Sequence, residues 1–81
     1  MAATREDVDR WIETAKAHGS KFIISVCDTF DYDDYPVYCD DINELREEYK
    51  GHHGVNMQIV NEIIRLNDNG TVDENLNINN V

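Results

Sequence analysis

Two β-type segments separated by a short acidic turn constrain the fold of this chain more than any other feature. KFIISVC, residues 21–27, is rich in β-branched and aromatic residues, which predicts a strand. YPVYC, residues 35–39, predicts a shorter second strand, and Pro36 restricts it to a sheet edge or a bulge. An isolated two-stranded hairpin is marginally stable in water, so this one needs helices or a second copy of itself to cover it. Homodimerisation through the hairpin edge is therefore one expectation.

Helical signals on both sides of the hairpin supply such a cover. Thr4 has the spacing of an N-cap, an apolar stripe at i, i+3, i+4 and i+7 starts at Val8, and Gly19 is a typical stop signal. These signals predict a helix over about residues 5–18. A second helix is predicted to start after the cap residue Asp41, and the GHHG segment ends it.

A third helix is predicted over about residues 56–66. Its predicted inward-facing stripe has helical spacing and consists of Ile59, Val60, Ile63 and Ile64. The predicted fold class is therefore α+β, a small single domain in the order α-β-β-α-α, with a β-hairpin covered by helices.

The composition changes after residue 66. The segment NDNGTVDENLNINNV carries six asparagines and a turn dipeptide, which favours a C-terminal tail of low stability. The alternation of Leu76 and Ile78 with asparagine leaves a short edge strand as the alternative. The predicted organisation is a compact α+β domain over residues 1–66, followed by an Asn-rich tail over residues 67–81.

Each of the two cysteines is the last residue of a predicted strand of the hairpin. Side-chain alternation favours a register in which Val26 and Val37 share the helix-facing side, with a two-residue turn at residues 31 and 32. Cys27 and Cys39 then point to opposite faces, so free thiols are predicted. A slip of one residue would instead place the two sulfur atoms side by side.

The net charge of the chain limits the classes of partner that it is expected to bind. Seventeen Asp and Glu residues against seven Lys and Arg give a formal charge of −10. Such a charge repels nucleic acid and anionic membranes and favours encounter with a basic protein. The sequence contains neither a signal peptide nor an apolar run of the roughly 20 residues that a membrane span needs. A cytoplasmic location is therefore expected.

The acidic segment between residues 28 and 48 is the predicted interaction site. Carboxylates three or four positions apart on a helix lie about 5–6 Å from one another, a spacing that resembles nucleic-acid phosphates. Tyrosines among them add anchors of the type that dominate interface energetics. The alternative is that the tyrosines pack in the core and the aspartates only cap turns and helices. The predicted partner-binding residues are Asp28, Asp31, Tyr32, Asp33, Asp34, Tyr35, Asp40, Asp41, Glu44, Glu47 and Glu48.

No metal, cofactor or catalytic residue is predicted. The aspartate spacing does not fit an EF-hand, and the adjacent His52 and His53 lack the spacing of zinc ligands, so a solvated loop is expected there. No nucleophile motif accompanies Cys27. The chain is therefore expected not to be an enzyme. An accessory or divalent-cation-binding domain with no inhibitory role is the alternative to the partner-binding function that the acidic segment predicts.

The segments VCDTFDYDDYPVY, residues 26–38, and VNMQIVNEII, residues 55–64, resemble a group of small acidic phage proteins. Many of these carry a near-identical VCDTFDY-acidic-DYPVY segment and a later NMQ helix, and the resemblance covers about two-thirds of the chain. It implies phage origin and expression in the bacterial cytoplasm, and it brings no catalytic residues. Short acidic phage proteins are similar in class to anti-CRISPR proteins and DNA mimics. The predicted function is stoichiometric inhibition of a basic host protein that handles nucleic acid or acts in defence.

Overall fold

A four-stranded antiparallel sheet with one helix on each face forms the protein, in a computed structural model that describes residues 3–80. The strand order is β2-β1-β3-β4. The predicted α+β class and single domain are confirmed. In chain order the elements are helix α1 (Arg5–His18), strands β1 (Phe22–Asp28) and β2 (Asp33–Cys39), helix α2 (Ile42–His52), strands β3 (Gln58–Leu66) and β4 (Val72–Asp73), and a 3-10 helix (Ile78–Asn80).

Both helices begin at the caps that the sequence predicts. At the start of α1, the Asp7 N–H donates to the Thr4 hydroxyl and the Thr4 N–H donates to the Asp7 carboxylate, which completes a capping box. Gly19 ends the helix in the left-handed region, at φ 74°. The Asp41 carboxylate caps α2 by accepting the Glu44 N–H at 2.8 Å.

Strand β1 is the centre of the core because it is buried on both faces. On one face, Ile24 packs in a cluster with Leu45 of α2 and Ile63 of β3. On the other face, Ile23 packs in a second cluster that includes residues of α1. The two helices therefore cover opposite faces of one sheet.

The hairpin register keeps the predicted faces but not the predicted turn. Val26 lies opposite Tyr35, and Phe22 lies opposite Cys39. The turn spans residues 29–32 instead of the predicted pair at 31 and 32, and a shift of two residues leaves every side chain on its original face. Cys27 and Cys39 lie on opposite faces, and both are buried, free thiols.

Strand β2 is an edge strand, as Pro36 predicts. The Cys39 carbonyl accepts the Lys21 N–H at 2.9 Å, so Cys39 directs its backbone groups toward the body of the sheet. Because backbone direction alternates along a strand, the backbone groups of Pro36 face outward. Proline has no N–H, so the exposed edge has one hydrogen-bond donor fewer at this position. The cover that the hairpin needs comes from β3 and the two helices.

The predicted third helix is wrong, because residues 58–66 form strand β3. Strands β1 and β3 pair with a bulge: Ser25 lies opposite Glu62, whereas the next residue of β1 lies opposite Val60. Asn61 is the extra residue. The bulge separates Val60 from Ile63 by three positions although both pack against the same cluster. One extra residue in a strand thus reproduces the spacing of a helical stripe.

Deletion of Asn61 is expected to leave the fold intact, since it converts the bulge into a regular ladder without moving any core side chain to the other face. The expected cost is about 1 kcal/mol, for the lost hydrogen bond from Asn61 Nδ2 to Asp34 Oδ1. Deletion of Ile63 is the control, because it places Glu62 in the buried site opposite Ile24 and is expected to unfold the protein. Thermal unfolding of both variants measures the difference; equal losses would contradict the assigned bulge.

The segment predicted as an Asn-rich tail, described as far as residue 80, contributes structure of its own. A turn at Asn69-Gly70 joins β3 to β4, and Arg65 forms an ion pair with Asp73 at 2.8 Å. The Leu76 N–H donates to the Ile63 carbonyl at 2.9 Å. Leu76 and Ile78 then pack against the cluster on the α2 face of the sheet, so the segment covers part of the core.

Candidate interaction surface

Two loops meet at the end of the sheet where β1 turns into β2. The pairing of β1 with β3 places Asp28 opposite Gln58, and the Thr29 N–H donates to the Met57 carbonyl at 2.7 Å. Residues distant in sequence therefore share this end of the molecule. We call it the tip surface and define it by Asp28, Phe30, Asp31, Tyr32, Asp33, Val55, Met57 and Ile59.

The tip surface exposes large apolar side chains. The exposed fractions are 78% for Phe30, 66% for Tyr32, 60% for Met57, 41% for Ile59 and 39% for Val55. Within residues 3–80, these are the large hydrophobic side chains that stand out as exposed, and all of them lie at this end. A concentration of exposed apolar side chains on an otherwise highly charged small protein is typical of an interaction site.

Two carboxylates of the tip surface, those of Asp28 and Asp31, are held by local backbone bonds. Asp28 Oδ1 accepts the Phe30 N–H at 2.9 Å, and Asp31 Oδ1 accepts the Asp33 N–H at 3.1 Å. Within residues 3–80, neither Asp28 nor Asp31 forms an ion pair. The sequence has no Lys or Arg at positions 22–45 or 51–64, the two stretches that contain the tip loops. No lysine or arginine of these two stretches therefore offsets the charges of Asp28 and Asp31.

The backbone of the tip surface is in uncommon conformations. Tyr32, Asn56 and Met57 have φ values of 59°, 52° and 63°, in the left-handed region. Such conformations cost free energy for a bulky side chain, and they cluster at functional sites. Each of the two loops therefore contains a bulky residue in a conformation of raised free energy.

Two predicted site residues, Asp34 and Tyr35, lie beside the tip surface and make internal contacts. Asp34 accepts the Ala3 N–H at 2.7 Å and the Asn61 amide at 3.0 Å, which ties the start of the chain to the bulge in β3. Tyr35 packs against the cluster on the α2 face, and its hydroxyl lies 3.3 Å from His52 Nδ1. Burial, followed by the charges of Asp28 and Glu48, raises the pKa of Tyr35.

His52 supports the tip surface from the end of α2. Its Nδ1 lies 2.9 Å from the Gln58 side-chain oxygen, and its Nε2 lies 3.1 Å from Glu48. The predicted solvated loop is therefore wrong for His52, which joins α2 to β2 and β3. His53 also has contacts: it stacks on Tyr49, and its Nδ1 accepts the Val60 N–H at 3.1 Å. No spacing rule in the sequence signals either contact.

The other predicted carboxylates lie away from the tip surface. Strand β2 separates Asp33 from Asp40 by seven residues, which spans about 20 Å. Asp41 caps α2, while Glu47 is exposed on that helix. The remaining predicted residues, Glu44 and Glu48, are half-buried on α2. The eleven predicted residues therefore form a tip group and a second group along α2 and its N-terminus, not one continuous ridge.

The second group surrounds a buried thiol. Burial, and then the negative charges of Glu44, Glu48 and the two aspartates before α2, raise the pKa of Cys39 to about 12. The thiolate is the reactive form of cysteine, so Cys39 is inert at neutral pH. Burial also raises the pKa of Cys27, with a further contribution from its contact with Asp34. Neither position has the microenvironment of a nucleophile.

Glu62 carries a carboxylate whose charge opposes folding. One of its oxygens is buried without a hydrogen-bond partner in residues 3–80. Burial, and then repulsion from Glu74, raise the pKa of Glu62. A raised pKa means that the protonated form is favoured in the folded state. The stability that protonation of Glu62 provides is therefore fully present below the ordinary pKa of glutamate. It is lost as the pH rises through the folded-state pKa.

Glu62→Gln is expected to raise the free energy of unfolding at pH 7, because the neutral amide removes a partly desolvated charge that Glu74 repels. The gain is expected to shrink as the pH falls below the ordinary range of glutamate. Thermal unfolding of both proteins between pH 3 and 8 provides the measurement. Glu13→Gln, on the exposed side of α1, is the control and should show no comparable pH-dependent gain. A gain that grows toward low pH would contradict the assignment.

Neither a metal site nor a membrane-spanning helix is found in the described part of the chain, residues 3–80. No three His, Cys, Asp or Glu side chains are grouped there in a way that could hold a metal ion. None of its helices has the length and apolar character to cross a membrane. Comparison of the chain with protein-family models, with curated proteins and with solved structures finds no match.

Proposed function

We propose that this protein is a phage-encoded inhibitor that binds a basic host protein stoichiometrically and blocks its access to nucleic acid. The observation that carries the proposal is the position of the charge. Residues 28–48 hold nine carboxylates against the single cation Arg46, a net charge of −8 out of −10. This segment forms one end of the sheet, its β2 edge and helix α2.

Charge and apolar surface have separate functions in this proposal. The field of the acidic side steers a basic partner toward the molecule and raises the association rate. The exposed rings of Phe30 and Tyr32 then supply contacts that slow dissociation, since aromatic anchors dominate interface energetics. On α2, Glu44, Glu47 and Glu48 have the i, i+3, i+4 spacing that resembles successive phosphates. The partner is a nucleic-acid-binding protein of the bacterial cytoplasm, and the phage origin rests on the sequence resemblance.

Capture from a bacterial lysate, followed by competition, tests the proposal. The immobilised protein is expected to retain a basic protein from the lysate. Addition of duplex DNA or an increase in salt concentration should then release that basic protein. The captured protein, once purified, should lose nucleic-acid binding on addition of one equivalent of this chain. Asp31→Asn/Asp33→Asn should weaken the inhibition, whereas Glu6→Gln/Glu13→Gln on α1 is the control with the same change in charge. A captured protein that binds DNA and this chain simultaneously would overturn the proposal.

A further inference from the structure

From the tip surface we infer a recognition site for arginine side chains, in which exposed aromatic rings stack on a guanidinium group and neighbouring carboxylates bind its N–H groups. The inference rests on the proposed function in one respect: it names the chemistry of the partner at the same site. Phe30, with Asp28 and Asp31 close on either side in the chain, is the centre of the site.

Aromatic rings and carboxylates alternate along this turn. Among residues 3–80, Phe30 and Tyr32 are the two most exposed large apolar side chains, and the aspartates at 28, 31 and 33 flank them. A guanidinium group is planar, stacks on an aromatic face and donates hydrogen bonds in its own plane. The combination of ring faces and carboxylate oxygens matches both properties at once.

Acceptor capacity remains at the carboxylates of Asp28 and Asp31 after their internal bonds are made. Asp28 and Asp31 each use Oδ1 for a backbone N–H of the turn. Those bonds fix the carboxyl groups relative to the turn, which lowers the entropic cost of binding. In residues 3–80 the second oxygen of each group has no partner. Asp31 is exposed and Asp28 is half-buried, and these second oxygens are the acceptors that we assign to an arginine N–H from outside.

Charge complementarity selects this occupant over the alternatives. A second copy of the chain would bring another −10 charge to the acidic end, which opposes self-association there. An ammonium group of lysine is a more strongly hydrated point charge and gains less from stacking than guanidinium does. A partner surface rich in arginine, such as one that binds phosphates, satisfies both the rings and the carboxylates.

Two synthetic peptides of equal length and charge test the inference, one with four arginines and one with four lysines separated by glycine and serine. The arginine peptide is expected to bind the full chain about tenfold more tightly, measured by the anisotropy of a fluorescent label at physiological salt. Amide chemical shifts of residues 28–33 and 55–59 should move most on binding. Equal affinity for the two peptides would overturn the inference.

Matched variants separate recognition from general charge attraction. Phe30→Ala/Tyr32→Ala should abolish the preference for arginine while leaving weak, salt-sensitive binding of both peptides. Glu44→Gln/Glu47→Gln on α2 should lower both affinities and retain the preference; if it abolishes the preference, the site is not at the tip. Circular dichroism confirms that each variant is folded. An arginine preference without capture of a nucleic-acid-binding protein would refute the proposed function alone, and capture without the preference would refute this inference alone.

Discussion

Ile23→Ala and Ile24→Ala are each expected to lower the free energy of unfolding by about 2–5 kcal/mol. Both side chains are completely buried, and they project into different clusters on opposite faces of β1. Each substitution leaves a cavity that the surrounding side chains fill only in part. For a domain of this size the expected fall in the melting temperature is about 4–8 °C for each kcal/mol lost.

The comparison of these two variants tests the layered architecture. A hairpin covered on one face only would tolerate truncation of whichever isoleucine faced the solvent. Two similar losses, measured by chemical and thermal unfolding, are expected because α1 and α2 cover opposite faces. Ile59→Ala, at the exposed end of β3, is the control and should cost less than about 1 kcal/mol. A loss of less than 1 kcal/mol for Ile23→Ala would contradict the second layer.

Local chemistry explains which elements the sequence predicts. Thr4 and Asp41 cap helices through bonds to residues three positions away, so the signal lies in a short window. Alternation along β1 and β2 fixes the faces of the hairpin for the same reason. The α+β class, the first two helices and the free thiols could therefore be predicted without knowledge of long-range contacts.

Strand β3 escapes such a prediction because a long-range contact determines its spacing. The bulge at Asn61 exists only where β3 lies against β1, and it converts a period of two into a separation of three between Val60 and Ile63. The β-branched composition of the segment favours a strand, but the spacing favours a helix. Tertiary pairing decides between them.

The residues of the candidate site also differ in whether local sequence or long-range pairing places them there. The sequence predicts Asp28, Asp31 and Tyr32 as site residues because they lie within five positions of one another and are chemically distinctive. It misses Met57 and Ile59, since the pairing of β1 with β3 is what brings them to the same end of the sheet. Conversely, the predicted anchor Tyr35 packs against the core. Composition predicts an acidic surface, whereas the topology determines which apolar side chains remain exposed beside it.

Phe30→Ala and Tyr32→Ala are each expected to weaken binding of the captured host protein about thirtyfold or more, which corresponds to about 2 kcal/mol per anchor. The effect should appear mainly as faster dissociation, because truncation removes short-range contacts and leaves the charge unchanged. Surface plasmon resonance with the purified partner measures both rate constants. Both side chains are more than half exposed, so the melting temperature should change little.

Charge-neutralising variants on α2 complete this test, because they act through the field instead of through contacts. Glu44→Gln/Glu47→Gln is expected to slow association and to reduce its dependence on salt, with a smaller effect on dissociation. If the α2 variant dominates dissociation and the aromatic variants have no effect, the partner contacts the helix and the tip surface is not the anchor. If the aromatic variants dominate, the acidic helix guides the encounter and Phe30 and Tyr32 hold the complex together.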